Sequence, residues 1–207
     1  LGEVRQGEGQ SCQEGSQEIS TGQMPSKKEL RALARQRKAA HSPAELRIMS
    51  EQVCRGVCRS LFWQQAHSVL LYHPLPDEVD VTALLHAAVS AGKQVLLPVV
   101  TGPDSIEVRR WTPYTPMQTG AFGIEEPSGK DISREEYDSI DLAIVPGIGF
   151  DSEGHRLGRG KGYYDRLLTR MPAAHLTGLC FPFQMLPEVP HEAHDINMEN
   201  IIFGCEE

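Results

Sequence analysis

At 207 residues the chain is long enough to enclose one sizeable core and too short for several. A net charge of −8 excludes a general nucleic-acid binder, which would carry a basic excess, and no apolar run approaches the roughly 18 residues that span a bilayer. With 40% hydrophobic and 23% charged residues, five scattered cysteines and no charged-then-apolar leader, the composition points to a soluble cytoplasmic enzyme without a disulfide framework.

Residues 1–23 are rich in Gly, Gln, Ser and Glu and offer little apolar surface to offset the entropy of ordering. They read as a disordered extension or an artefact, with Met24 a candidate start and residues 24–207 a single domain. Ser26 with Glu29 forms a capping-box pattern that opens a basic helix carrying Lys27, Lys28, Arg31, Arg35, Arg37 and Lys38. Ser42-Pro43 opens a second helix with Leu46, Met49, Val53, Val57 and Leu61 on one face. Cys54 and Cys58 lie one turn apart, but no second pair completes a metal site, so they read as packing residues.

Beyond residue 67 strands and helices alternate. Strands are expected at 68–72, 94–100, 106–111, 141–145, 176–181 and 200–203, with a helix at 81–91. This order predicts a three-layer α/β/α fold around a mainly parallel central sheet. In such sheets ligands collect at the carboxyl ends of the strands. That places residues 73–80, 147–165 and 181–195 around one site.

The second of these segments is the most informative: Val145-Pro-Gly-Ile-Gly-Phe-Asp-Ser-Glu-Gly-His-Arg-Leu-Gly-Arg-Gly-Lys-Gly-Tyr-Tyr-Asp165. A strand ends, Gly158, Gly160 and Gly162 alternate with Arg159 and Lys161, and a helix over 163–171 follows. Glycines allow successive N–H groups to face one concavity, and cations beside a helix start favour a polyanion. His155 and Arg156 stand where a Walker A loop needs Lys and Ser/Thr, and the glycine spacing does not fit a dinucleotide fingerprint. Residues 151–158 read as a hydrophilic insertion in the strand-to-helix turn. A solvated loop is the bland alternative, and the packing of Arg156, Arg159 and Lys161 before a helix outweighs it.

Taken whole, the stretch resembles the signature of the 5-formyltetrahydrofolate cyclo-ligase (methenyltetrahydrofolate synthetase) family. Weaker resemblance extends over 27–202, through Lys27-Lys28-Glu29-Leu30-Arg31, Asp77-Glu78-Val79-Asp80 and Gly120-Ala121-Phe122-Gly123-Ile124-Glu125-Glu126-Pro127. The resemblance implies the α/β architecture of the sugar-phosphate isomerase and CoA-transferase-like group. It also implies ATP- and Mg²⁺-dependent closure of 5-formyltetrahydrofolate to the methenyl product through a phosphorylated formyl group, in a monomer.

By the same resemblance, ATP is met by Lys27, Lys28, Glu29, Leu30 and Arg31, and by Arg156, Leu157, Gly158, Arg159, Gly160, Lys161, Gly162, Tyr163 and Tyr164. Folate is met by Leu75, Asp80, Phe122 and the stretch from Arg159 to Tyr163. Arg159, Lys161 and Tyr163 are the implied catalytic group, and Asp165 and Asp195 the implied Mg²⁺ ligands. Phe122 stands where relatives carry Trp, and Asp80 where Glu is also found. Asp77 and Glu78 read as turn and solvent residues. Of the adjacent Tyr163 and Tyr164, at least one is expected to be free of the core. Asp165 has a plainer reading as a first-turn acid complementing the helix dipole. A phosphotransferase for another small acid and a non-catalytic nucleotide or folate binder stay open as rivals.

Overall fold

The computed structural model describes residues 24–120 and 123–204. In chain order the helices are α1 Lys27–Ala39, α2 Pro43–Arg59, α3 Leu61–Gln65, α4 Thr82–Ser90, α5 Arg134–Asp138 and α6 Tyr163–Leu168. The strands are β1 Ser68–Leu70, β2 Gln94–Val100, β3 Ile106–Trp111, β4 Met117–Thr119, β5 Glu125–Pro127, β6 Leu142–Pro146, β7 Gly149–Phe150, β8 Arg156–Leu157, β9 His175–Leu179 and β10 Asn200–Ile202.

The six-stranded central sheet runs β10-β9-β6-β1-β2-β3, with two-stranded β4-β5 and β7-β8 pairs beside it. Four of its pairings are parallel and β2–β3 is antiparallel. The exception follows from chain length: residues 101–105 make only a short turn, closed by Thr101 N–H on the Ser105 carbonyl, and a parallel return needs a crossover of about a dozen residues or more.

Successive strand side chains point to opposite faces, and both faces of this sheet are covered. Val69, Val95, Leu97, Leu142 and Ile144 face a core completed by α2, α3 and α4. Their neighbours Leu70, Leu96, Ala143 and Val145 face a second core, closed by Tyr137 of α5 and Leu167 and Leu168 of α6. This is the expected three-layer fold. Helix α1 belongs to neither core: its Leu30 joins Leu157, Leu186 and Val189 in a small satellite cluster. Among the described residues no helix is long and apolar enough to cross a membrane. Cys54 is buried, with its thiol directed at the Asp80 carbonyl at 3.4 Å, and no cluster of metal-ligating side chains surrounds it among the described residues.

Residues 151–158, expected as a hydrophilic insertion, are not a solvated loop. They close the β7–β8 hairpin, in which Asp151 is 2% exposed and Leu157 fully buried. The Asp151 carboxylate accepts from the N–H groups of Glu153, His155 and Val189 and from the His155 ring. The polar residues are spent on the hairpin's own backbone. One of those bonds, to Val189, also ties the 182–195 segment to the signature. Helix α6 ends at Leu168, earlier than the expected 171, and β1 stops at Leu70 while Leu71 and Tyr72 stay buried.

Candidate active site

A cavity of about 830 Å³ opens at the carboxyl ends of β1, β2 and β6. This is within the range of small-molecule sites, about 300–1,000 Å³. All three expected segments reach it: His73, Leu75 and Glu78 from the first, the signature loop from the second, and Glu192, His194 and Asp195 from the third. Helix α1 adds Lys27 and Arg31, and the β4–β5 flap adds Ile124 and Glu126.

The signature loop packs directly on α1. Arg31 Nε donates to the Gly158 carbonyl at 2.9 Å, and its guanidinium lies 3.3 Å from where a Cβ on Gly160 would sit. Gly160 also has φ +93°, so two requirements, close approach and left-handed backbone, demand glycine there. Arg156 is the buried cation of the site, its side chain 6% exposed. It donates to Asp165 at 2.8 Å and lies over the Tyr164 ring, while its Nε has no hydrogen-bond partner. The Lys161 ammonium is exposed and makes no hydrogen bond or ion pair among the described residues. A cation held apart from every carboxylate is available to a bound anion.

Both tyrosines line the cavity. The Tyr163 hydroxyl donates to the Gly102 carbonyl at 3.1 Å, and burial pushes the Tyr164 hydroxyl well above the usual phenol range. Arg166, a residue the sequence reading missed, stacks over Tyr163 and donates to the Asp104 and Lys161 carbonyls. A cation one residue beyond the signature, on α6, is the signal that would have marked it.

On the opposite wall Arg159 reaches Asp77 and Glu78 of the β1–α4 loop. Burial pushes the Glu78 carboxyl up, opposed by the Leu75 N–H that it accepts and by Arg159. These two acids are therefore not the solvent residues expected. Asp80, named from the resemblance, is turned away from the cavity: it is exposed and accepts from Thr82 N–H at 3.0 Å at the start of α4. The acid that this loop brings to the cavity is Glu78.

Other expected contacts are also redistributed. Lys28 is exposed and outside the lining. Glu29 closes the Ser26 capping box, and Leu30 and Leu157 are core side chains. Phe122 lies outside the described residues.

Asp165 and Asp195 line the same cavity. Each now faces a cation: Arg156 for Asp165, and Lys27 at 2.9 Å for Asp195. Burial works to raise the Asp195 carboxyl, but the hydrogen bonds from Lys27 and from the Glu192 N–H outweigh it and hold it below the usual range. Two carboxylates, with no third ligating side chain among the described residues, fit Mg²⁺ shared with phosphates and water, which needs only one or two carboxylates. They do not fit a caged ion such as structural zinc.

The geometry can be set beside known proteins. The profile of the 5-formyltetrahydrofolate cyclo-ligase family matches residues 23–204. The mouse 5-formyltetrahydrofolate cyclo-ligase is 27% identical, over 86% of this chain and 93% of its own length. A probable 5-formyltetrahydrofolate cyclo-ligase of Schizosaccharomyces pombe is 31% identical, over 74% of this chain and 82% of its own. The NMR structure of Aquifex aeolicus 5,10-methenyltetrahydrofolate synthetase superposes with a TM-score of 0.73 at 36% identity, covering 86% of this chain and 89% of the other. Fold, signature and profile agree, and the chain belongs to the 5-formyltetrahydrofolate cyclo-ligase family.

Proposed function

We propose that this chain converts 5-formyltetrahydrofolate and ATP to 5,10-methenyltetrahydrofolate, ADP and phosphate. The observation that carries the reading is the meeting, in one cavity, of a Lys161 ammonium with no partner among the described residues, the Arg156–Asp165 pair and Asp195 with the acid Glu78. One end suits a triphosphate and the other the hydrogen-bond donors of a pterin.

The chemistry asks for this division. A formyl oxygen attacks the γ-phosphorus and ADP departs. The aniline nitrogen then adds to the activated carbon and loses its proton, and phosphate leaves with the former formyl oxygen. Such phosphoryl transfer needs positioning and charge neutralisation rather than a protein nucleophile, which suits a site of glycines and cations. Lys161 and Arg159 neutralise the triphosphate, with Arg156, Lys27 and Arg31 supporting it from α1 and β8. Asp165 and Asp195 would hold Mg²⁺, which supplies further charge neutralisation on the phosphates. Tyr163 closes the wall between the two ligands, and Leu75 and Phe122 offer apolar cover to the folate rings. The free thiols of Cys54, Cys58 and Cys180 suit a cytoplasmic, reducing setting.

The test is formation of the methenyl product, followed by its absorbance, with and without Mg²⁺ and ATP. Wild-type protein is expected to form product only when ATP is present. Lys161→Ala is expected to keep its melting temperature and lose about 10²–10³ in turnover, the usual effect of removing one preorganised charge. Product without ATP, or full turnover in Lys161→Ala, would overturn the reading.

A further inference from the structure

The two cations of the signature loop are in different states. Lys161 makes no contact with any carboxylate among the described residues, whereas Arg159 is paired with the β1–α4 loop. Its NH2 atom donates to Asp77 and lies 3.4 Å from Glu78.

The two acids are not equivalent. Glu78 is the buried one, with its side chain 11% exposed against 41% for Asp77, and it also accepts the Leu75 N–H at 3.0 Å. Glu78 therefore keeps a partner if Arg159 leaves. Among the described residues Asp77 has no partner other than Arg159. Between half-exposed groups such a pair adds little to stability, so its consequence lies in where it holds the guanidinium. Arginine presents five N–H donors in a rigid plane. A carboxylate on one terminal nitrogen fixes that plane and leaves the Nε and NH1 donors for a second anion.

We infer that Asp77 is a positioning residue, which tethers Arg159 at the seam between the nucleotide and folate ends so that its remaining donors face the transferring phosphoryl group. This rests on the function proposed above. The tether couples the two halves of the site: the loop that carries Leu75 and Glu78 holds the arginine that meets ATP.

The experiment combines kinetics with a readout that does not need turnover. In the full chain Asp77→Asn is expected to keep its melting temperature and its KM for ATP, and to lose about 10- to 100-fold in kcat, the scale of a small misplacement at a reacting centre. Asp77→Glu is expected to recover part of that loss. In an Arg159→Ala background Asp77→Asn is expected to have no further effect, because the group it positions is gone. The ¹⁵N–¹H guanidinium resonances of Arg159, assigned by loss in Arg159→Ala, are expected to sharpen in wild type and to shift and broaden in Asp77→Asn. Unchanged kcat in Asp77→Asn, an equal loss in the Arg159→Ala background, or guanidinium resonances indifferent to Asp77 would each overturn the tether. A wild-type chain that forms no methenyl product would sink the proposed reaction, and the guanidinium resonances would still decide whether Asp77 holds Arg159.

Discussion

Glu78 and Asp80 stand two positions apart, and only Glu78 turns its carboxylate into the cavity. Between them Val79 is 1% exposed and its carbonyl accepts the Tyr72 hydroxyl at 3.0 Å. This pins the loop so that Glu78 lies inward and Asp80 caps α4. Nothing in Asp-Glu-Val-Asp, as letters, distinguishes the two acids, because the choice is made by Tyr72, seven residues before Val79 in the same loop. The buried carboxylate has a thermodynamic signature. Its proton affinity is raised by burial above the ordinary value of 4.5, so the folded chain binds that proton more readily than the unfolded chain. The stability it contributes is complete below 4.5 and is lost as pH rises through the raised folded value. At neutral pH an ionised Glu78 is therefore a burden on the fold that the site retains. Glu78→Gln is expected to raise the melting temperature at pH 7 to 8 and to lose that advantage towards pH 4, while kcat/KM falls. Melting curves across that range check it, and a lower melting temperature for the variant at neutral pH would contradict the assigned shift.

At the scale of elements, legibility followed length and pattern. Strands β2 and β3 stand where the apolar run at 94–100 and the alternation at 106–111 placed them, because six or seven residues bounded by turn residues carry their own period. The β7–β8 hairpin was opaque because each of its strands has only two residues and its turn is polar. Its polarity is internal: Asp151 serves three backbone N–H groups that have no other acceptor. The same opacity hides Leu157, which sits inside the signature yet belongs to the satellite core. Membership of a motif does not tell which way a side chain points. Cations were legible, since Lys27, Arg31, Arg156 and Lys161 cluster by type. Glu78 and Arg166 were not, since one charge in a loop or on a short helix usually faces water. The hairpin supplies a direct test. Asp151→Ala leaves the buried Val189 N–H and the part-buried N–H groups of Glu153 and His155 without partners, a buried one being worth about 1–3 kcal/mol, so a loss of about 3 kcal/mol is expected in denaturant unfolding. Loss of less than about 1 kcal/mol would mean that water replaces the carboxylate at little cost.

For the molecule as a whole the notable fact is distribution: a chain of net charge −8 gathers Lys27, Arg31, Arg156, Arg159, Lys161 and Arg166 around one cavity. Helix α1 is the element most exposed to the state of that cavity. Its only well-buried side chains are Leu30 and Ala34, Leu33 packs half-buried beside Leu30, and the rest of its attachment is polar and spread over three loops. Lys27 reaches Asp195, Arg31 the Gly158 carbonyl, Arg37 the carbonyls of Phe183 and Met185, and Lys38 that of Pro76. Such a helix opens locally at lower free energy than strands enclosed by both cores. A nucleotide held by Lys27, Arg31 and the signature loop must be released before α1 can open. Ligand at 100 times its Kd therefore opposes that opening by about 2.7 kcal/mol, close to a hundredfold in rate of exchange. Hydrogen–deuterium exchange with and without saturating Mg·ATP is expected to slow strongly over residues 27–39 and 158–168. Over the same minutes β3 and β6 are expected to show little exchange in either state. Unchanged exchange in α1 on addition of Mg·ATP, or slowing confined to residues remote from the cavity, would show that the helix is not held by the ligand that the site is built to take.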